Sequence, residues 1–354
     1  MLNQCDVSVD AWQKTLIMTT VYWLCLIVVV LVEGSLAFCV YPTTGTSTTS
    51  LGFRTYSMSS FRAAPSSEDR LVEYQKDLSS NLLPEPSVDP TKEIGTFLDH
   101  QRTVFDEMAE FFASDDATPP EVVPALRHLC QEIIQQTMAS RSGSGSVSSL
   151  KILDVACGTG ALWPFYLEAA SAKGITLDIV GVDLSSKMLQ RGQERIARLR
   201  EGGPTSESFG SIDLVHSDFV AMILEDEDSE YKQSFDAAVA NACFANFLDR
   251  GRCSSCFCVV CLISFLNYCL LPDGVMDALT ECLLQGGVAF VTHPLGSSFV
   301  EKLHTQDPST VPHTLPSKEE FRRVTEPRDL QIRAYDEKVV NGQITYLASA
   351  TKTS

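Results

Sequence analysis

The feature that most constrains this chain is an apolar run that stops at an acid and a glycine turn. In LKILDVACGTGALWPFYLEAA, residues 150–170, a β-type run ends at Asp154, passes a turn holding Gly158 and Gly160, and resumes with helical character. A strand that feeds a helix in this way is the unit of a parallel sheet, because parallel strands need a crossover to return. The pattern then repeats. Strand-like segments fall at 151–156, 178–182, 212–216, 236–240 and 288–292, with helices between them. The clearest helix is 185–200, entered through Ser185 and Ser186 as caps. Helical stretches near 299–304 and 317–324 follow the fifth strand, and two closing strands, 331–339 and 343–350, are joined by the hairpin signal VNGQ. The expected fold class is α/β: a doubly wound, seven-stranded sheet with five parallel strands and a C-terminal antiparallel pair.

Charge narrows the partners. The 354 residues carry 27 Lys and Arg against 45 Asp and Glu, a formal charge of -18. No basic stripe is present, so a nucleic-acid backbone is excluded as the main partner, and a small molecule or another protein is expected. The acidic run EDEDSE, 225–230, lacks the alternating ligands and central glycine of a calcium loop and reads as a solvated loop. The 12 cysteines are irregularly spaced and form no compact disulfide framework.

The N-terminal third divides differently. Residues 1–37 read as a signal peptide, with the apolar run 16–32 followed by Gly34, Ser35 and Ala37; a membrane anchor is the alternative. Residues 38–90 read as a transit peptide and linker: 39–67 hold no acid, many Ser and Thr, and Arg54 and Arg62. With Phe38 directly after the cleavage junction, this arrangement resembles the bipartite plastid presequence of algae with complex plastids. That implies plastid localisation by way of the endoplasmic reticulum, secretion being the alternative. Residues 91–140 hold two amphipathic helices, 96–112 with Phe97, Val104, Phe105, Met108, Phe111 and Phe112 at helical spacing, and 120–138. Such an aromatic stripe serves as core or as the lid of a pocket. The flexible connector 140–149 leads into the main domain, 150–354, which is expected to be soluble or peripherally membrane-associated.

In a doubly wound sheet the ligand sits beyond the carboxyl ends of the strands. Gly158 and Gly160 let backbone approach it closely. The dinucleotide fingerprint wants a third glycine three residues after Gly160, where this chain has Trp163, so a nicotinamide or flavin ligand loses its most specific signal. Asp183 ends the second strand, where a carboxylate can accept from both hydroxyls of a ribose. Asp218 ends the third, as an acceptor for an exocyclic amine, with Phe219 to pack the ring. Either acid could instead merely cap the following helix. Together they describe a pocket for an adenosine that carries no phosphate.

On these residues the chain resembles the class I S-adenosylmethionine-dependent methyltransferases, over 98–351. LDVACGTG is similar to their first motif, with Ala156 where many members have Gly, FDAAVANACFANFLD to the fourth, and LLQGGVAFVTHPLG to the Gly-Gly turn into the fifth strand. The resemblance implies a Rossmann-like fold and S-adenosyl-L-methionine as cofactor. It places Asp154, Ala156, Cys157, Gly158 and Gly160 at the methionine end, Asp183 and Leu184 at the ribose, Asp218 and Phe219 at the adenine, and Asn241 beside the methyl donor. An enzyme of this kind transfers the methyl group in line to an acceptor, here expected to be a small molecule, and needs no metal. A SAM-binding protein with a non-catalytic role is the alternative. His293 ends the fifth strand and is either a general base or a helix cap, and Asn241, Asn246 and Asp249 share its edge and are expected to orient the acceptor, with Asn241 the second catalytic candidate. His293, His304 and His313 have no metal-ligand spacing, and CSSCFCVVC, 253–261, lacks the cysteine pattern of a radical iron–sulfur site. Residues 251–273 form an anomalous Cys-rich insertion. A retained intron explains it better than a zinc knuckle or a membrane-docking hairpin, because its removal restores an ordinary amphipathic helix.

Overall fold

The strands, in chain order, are β1 (Ser149–Val155), β2 (Thr176–Asp183), β3 (Phe209–His216), β4 (Phe235–Asn241), β5 (Leu283–His293), β6 (Leu330–Val340) and β7 (Gln343–Lys352). They form one sheet in the order β3-β2-β1-β4-β5-β7-β6. The first five are parallel, and β7 runs antiparallel to both β5 and β6. This is the expected fold class. The computed structural model describes residues 94–114, 118–141, 147–202, 208–248 and 273–353, all of them in the unit Ala64–Ser354. The presequence, Asp249 and all of the Cys-rich insertion except Asp273 lie outside the described residues.

Why these segments are strands is visible in their burial. β4, FDAAVAN, is buried at every position but the last, as a central parallel strand covered on both faces must be. Edge strand β6 is exposed or half-buried along nearly its whole length. Asn341 and Gly342, both with positive φ, close the β6–β7 hairpin, the turn that the Asn-Gly pair anticipates. One boundary differs from the sequence expectation. β5 begins at Leu283, so the Gly-Gly pair lies inside the strand, and pairing with β4 jumps from Phe235↔Leu283 to Ala237↔Val288. Gly286 takes up that irregularity at φ +77, and a Cβ on Gly287 would lie 2.9 Å from two carbonyl oxygens.

Helices α1 (Ile94–Ala113) and α2 (Val123–Arg141) precede the sheet. They are followed by α3 (Trp163–Ser171), α4 (Ser186–Gly202), α5 (Phe219–Leu224), α6 (Asp273–Cys282), α7 (Gly296–Gln306) and α8 (Lys318–Thr325). Ser185 caps α4 as expected, its hydroxyl accepting from the Met188 amide at 3.1 Å. Helix α2 buries Leu126, Leu129, Ile133 and Ile134, and each such side chain contributes about 1.5–3 kcal/mol relative to exposure. Strand order reverses between β1 and β4, so a crevice must open above their carboxyl ends.

Candidate functional site

The turn after β1 is held open by backbone geometry. Ala156, Gly158 and Gly160 all have positive φ, at 50°, 55° and 76°. Ala156 is the only one with a Cβ to strain. The amides of this turn are engaged within the protein: Cys157 N–H donates to the Val182 carbonyl (3.0 Å), Gly158 N–H to Asp183 Oδ2 (2.8 Å) and Gly160 N–H to the Cys157 carbonyl (2.9 Å). Trp163 lies beneath, fully buried. Its indole occupies space left by the missing Cβ atoms of Gly160, Gly181 and Gly192, and its Nε1–H donates to Asp154 Oδ2 at 2.9 Å. Asp154 is therefore behind the turn and is not among the residues that line the cavity, so it borders the expected methionine end only through the turn it supports. Burial lifts its carboxyl to about 7, against the lowering effect of the Trp163 bond, and the Asp183 charge adds to the rise.

Above the strand tips lies a cavity of about 310 Å3. One half is walled by Ala156, Cys157, Gly158 and Thr159 with Asp183, Leu184, Met188, Asp218, Phe219 and Asn241. These include the expected cofactor residues other than Asp154 and Gly160, which supports the wall without lining it. Asp183 accepts from the Gly158 and Ser185 amides, both at 2.8 Å, and burial raises its carboxyl to about 6 while those two bonds oppose the rise. Asp218 lines the cavity and also caps α5, through Oδ1 to the Val220 and Ala221 amides. The capping role considered from the sequence is thus observed, and the side chain also borders the cavity. Phe219 meets Phe247 edge to face at 6.4 Å.

The other half is apolar and is closed by elements the motifs do not include. Phe97, Leu98 and Phe105 from α1 face Leu295, Phe299, Val300 and Leu303 around α7, with Val311 and Leu315 beyond it. Helix α1 is clipped down on both sides. Asp106 accepts from the Ser185 hydroxyl, Glu110 pairs with Arg191, and Thr159 donates to the Phe112 carbonyl at 2.9 Å. Gln101 reaches the Thr310 carbonyl at 2.7 Å on the far side. The aromatic stripe of α1 is thus divided: Val104 and Met108 join the core while Phe97, Phe105 and Phe112 line the cavity.

His293 and Asn241 sit at adjacent strand tips, and both line the cavity, as does Asn246. His293 Nδ1 accepts the Leu295 amide at 3.1 Å, and burial lowers the ring's basicity to a pKa of about 3. It is therefore a neutral imidazole whose Nδ1 is engaged and whose proton sits on Nε2, an arrangement that does not favour the expected general base; the bond to the Leu295 amide precedes α7 and is not a side-chain cap of that helix, so the expected cap near Ser297 is not formed. Asn241 Oδ1 accepts from Thr292 Oγ1 at 3.0 Å. His304 bonds the Val311 carbonyl, and neither it nor His313 lines the cavity. Gln101, Phe97 and the α7 wall were not singled out as site residues, although the helical spacing of the α1 aromatics could have found the first two.

Residues 152–261 match a family model described as a methyltransferase domain. Demethylmenaquinone methyltransferase of Staphylococcus aureus (strain MRSA252) is 34% identical over 87 residues, covering 25% of this chain and 31% of that protein. The protein of that description from strain JH9 is 33% identical over 98 residues, covering 28% and 33%. The chain thus spans about a third of the length of these curated relatives. Among solved structures, it is similar to magnesium protoporphyrin IX methyltransferase (ChlM) from Synechocystis PCC 6803 with bound SAH, at 11% identity and a TM-score of 0.46, covering 74% of this chain and 100% of that one. It is also similar to the methyltransferase domain of bacterial CtHen1-C, at 18% identity and a TM-score of 0.40, covering 64% and 99%. The sheet order 3-2-1-4-5-7-6, with its reversed seventh strand, is the class I methyltransferase fold.

Proposed function

We propose that this chain is a SAM-dependent methyltransferase acting on a small, largely apolar acceptor. The observation that carries the reading is the chemistry of the turn. A dinucleotide's pyrophosphate needs free amides and positive charge. Here the amides of Cys157, Gly158 and Gly160 are engaged, and the nearest strand tips carry the carboxylates Asp183 and Asp218. That donor set repels phosphate and suits a cationic nucleoside without one. The methyltransferase-domain match over 152–261 supports the same ligand.

When bound, SAM supplies an electrophilic methyl group on a sulfonium centre. The protein's own residues then bind, orient and exclude water. Asp183 is fixed by the Gly158 and Ser185 amides and keeps lone pairs for the ribose hydroxyls. Asp218 would accept from the adenine amine, and Phe219, Phe247 and Met188, which line the same cavity, would supply apolar surface for the ring. Asn241 lines the cavity at the tip of β4, and α1 contributes Phe97, Leu98, Gln101 and Phe105 to its wall. Holding two reactants in line under a lid contributes about 7–11 kcal/mol through proximity and orientation. The acceptor half takes a small apolar molecule because its walls are Phe and Leu.

Calorimetry on the full chain tests this. SAM and its demethylated product SAH should both bind, and NAD should not. NAD binding as tight as SAM would refute the reading. Transfer of labelled methyl from SAM to a small-molecule extract then separates an enzyme from a SAM-binding protein without activity. The reading extends to location: a fluorescent fusion of residues 1–67 should enter a plastid, and Phe38→Ala should leave it outside.

A further inference from the structure

We propose that His293 and the Asn241 amide form a donor cradle for an oxyanion, so that the acceptor is a small apolar ring carrying an already ionised hydroxyl or carboxyl group. The inference rests on the methyltransferase reading above and concerns what the second half of that cavity recognises.

The tautomer of His293 is set by its neighbours. Nδ1 is occupied by the Leu295 amide at 3.1 Å, so the ring proton sits on Nε2, and the only polar atom left to the cavity is a donor. The ring is packed on Phe299, with centroids 5.6 Å apart and planes at 34°, which fixes its orientation. Across the β5–β7 pairing stands Tyr346, whose hydroxyl is committed to the Pro316 carbonyl at 2.8 Å and offers His293 no charge. On the neighbouring strand, Asn241 has its amide oxygen turned to the Thr292 hydroxyl, which leaves the NH2 group as the second donor. Thr292 itself is fully buried, so that orientation is held from below.

Donors at two adjacent strand tips on the wall of one largely apolar cavity favour negative charge on an oxygen bound there, because few competing waters and a low dielectric strengthen each bond. Among the described residues, the charged side chains on the cavity wall are Arg102 of α1, paired with Asp99, and Asp183 and Asp218 at the tips of β2 and β3 in the cofactor half. None of these is a base placed beside His293. The reaction balances without one. A lone pair of the ionised oxygen forms the new O–CH3 bond while the C–S bond breaks with its pair going to sulfur; the positive and negative charges cancel, and no proton leaves. Ring stabilisation of the anion, in a phenolate, or resonance in a carboxylate supplies the ionised oxygen before binding.

The test uses the SAH-loaded full chain and two matched probe pairs: 4-cyanophenol against its methyl ether, and 2-naphthoate against its methyl ester. Each is measured by calorimetry above the probe's own ionisation. At least one anion should bind about tenfold or more tighter than its methylated partner, the value expected for a charge-assisted hydrogen bond. Which pair shows the preference distinguishes a phenolate site from a carboxylate site. His293→Phe should abolish the preference with SAH affinity unchanged, and His293→Gln, which restores a donor, should recover part of it. Equal binding of anion and methylated partner, no binding of either anion, or a preference that survives His293→Phe would overturn the proposal. Loss of SAH binding by the unaltered chain would instead refute the methyltransferase reading beneath it. If His293 only caps its turn, the substitutions will lower thermal stability and leave the anion preference untouched.

Discussion

Asp154→Asn should make the folded protein more stable, and by an amount that grows with pH. Asp154 sits in the middle of the sheet, paired in register with Gly181 on one side and Val239 on the other, 3% exposed, with the Trp163 indole N–H on Oδ2. Its carboxyl is raised from an ordinary 3.8 to about 7, chiefly by burial. A raised carboxyl means that the folded state holds its proton where the unfolded chain has lost it. The associated stability is full below pH 4 and is lost as pH climbs through 7. Each tenfold change in proton affinity is worth about 1.4 kcal/mol, so a rise of this size brings the ionised form to about 4 kcal/mol of destabilisation. Asparagine keeps an oxygen for the indole and cannot ionise. Between pH 5 and pH 8 its advantage over the wild type should therefore widen by about 3 kcal/mol. Urea unfolding followed by tryptophan fluorescence measures this directly, since Trp163 is the only tryptophan after residue 23. A variant equally stabilised at both pH values, or destabilised at both, would show that the native site compensates the charge and that the burial argument is wrong. Because Asp154 lies behind the turn, SAH affinity should change by less than about threefold, well under 1.4 kcal/mol.

Ala156→Gly should also stabilise the fold. Relief of a left-handed alanine is worth about 1–2 kcal/mol, and the extra unfolded-state freedom of glycine returns about 0.4–1 of it. A net rise of roughly 2–4 °C in Tm is expected by calorimetry, and a fall would mean that the Ala156 methyl packs favourably. Asp183→Ala should weaken SAM binding roughly tenfold to a hundredfold, the range for losing hydrogen bonds to a charged acceptor. Circular dichroism must show the fold intact, and unchanged affinity would remove the ribose assignment. The pH profile of methyl transfer, once an acceptor is in hand, should show no essential base titrating near 6.5, because His293 stays neutral down to a pKa of about 3. An inflection near 6.5 that vanishes in His293→Gln would reinstate the base. Asp106→Ala removes the clip between α1 and Ser185, so amide exchange in α1 should quicken with SAM affinity little changed; unaltered exchange would mean that the other clips alone hold the lid.

The sheet was legible because its signals are local. Each parallel strand is a short apolar run ending in a turn, and the Asn-Gly hairpin announces the reversed pair. Asp183 and Asp218 could be placed at the cavity because a strand tip in a doubly wound sheet has only one place to point. Three things were not local. The start of β5 lies before the Gly-Gly pair, since a bulge lets glycines sit within a strand whose apolar run begins only after them. Helix α5 is six residues long, too short to show a period. The division of the α1 aromatics between core and cavity depends on α4 and on the loop holding Thr310, which lies about 200 residues away in the chain.

Trp163 shows most plainly what a motif comparison omits. From the sequence it counts as a missing glycine, evidence against a dinucleotide and nothing more. In the fold it replaces that glycine with a different solution to the same problem, the close packing of turn, helix and sheet. A glycine there would let α3 close on β1 by removing bulk. Here the bulk is kept, and the room is made chiefly by Gly160 in the turn, whose Cβ would collide with the indole, and also by Gly181 in β2 and Gly192 in α4, where a Cβ would press on it at 3.2 and 3.1 Å. The indole then donates to Asp154 and so draws that carboxylate away from the cavity. A small side chain at 163 would leave the buried Asp154 carboxyl without this donor. The place of this acid behind the turn is therefore tied to the residue nine places later, whose indole holds it there.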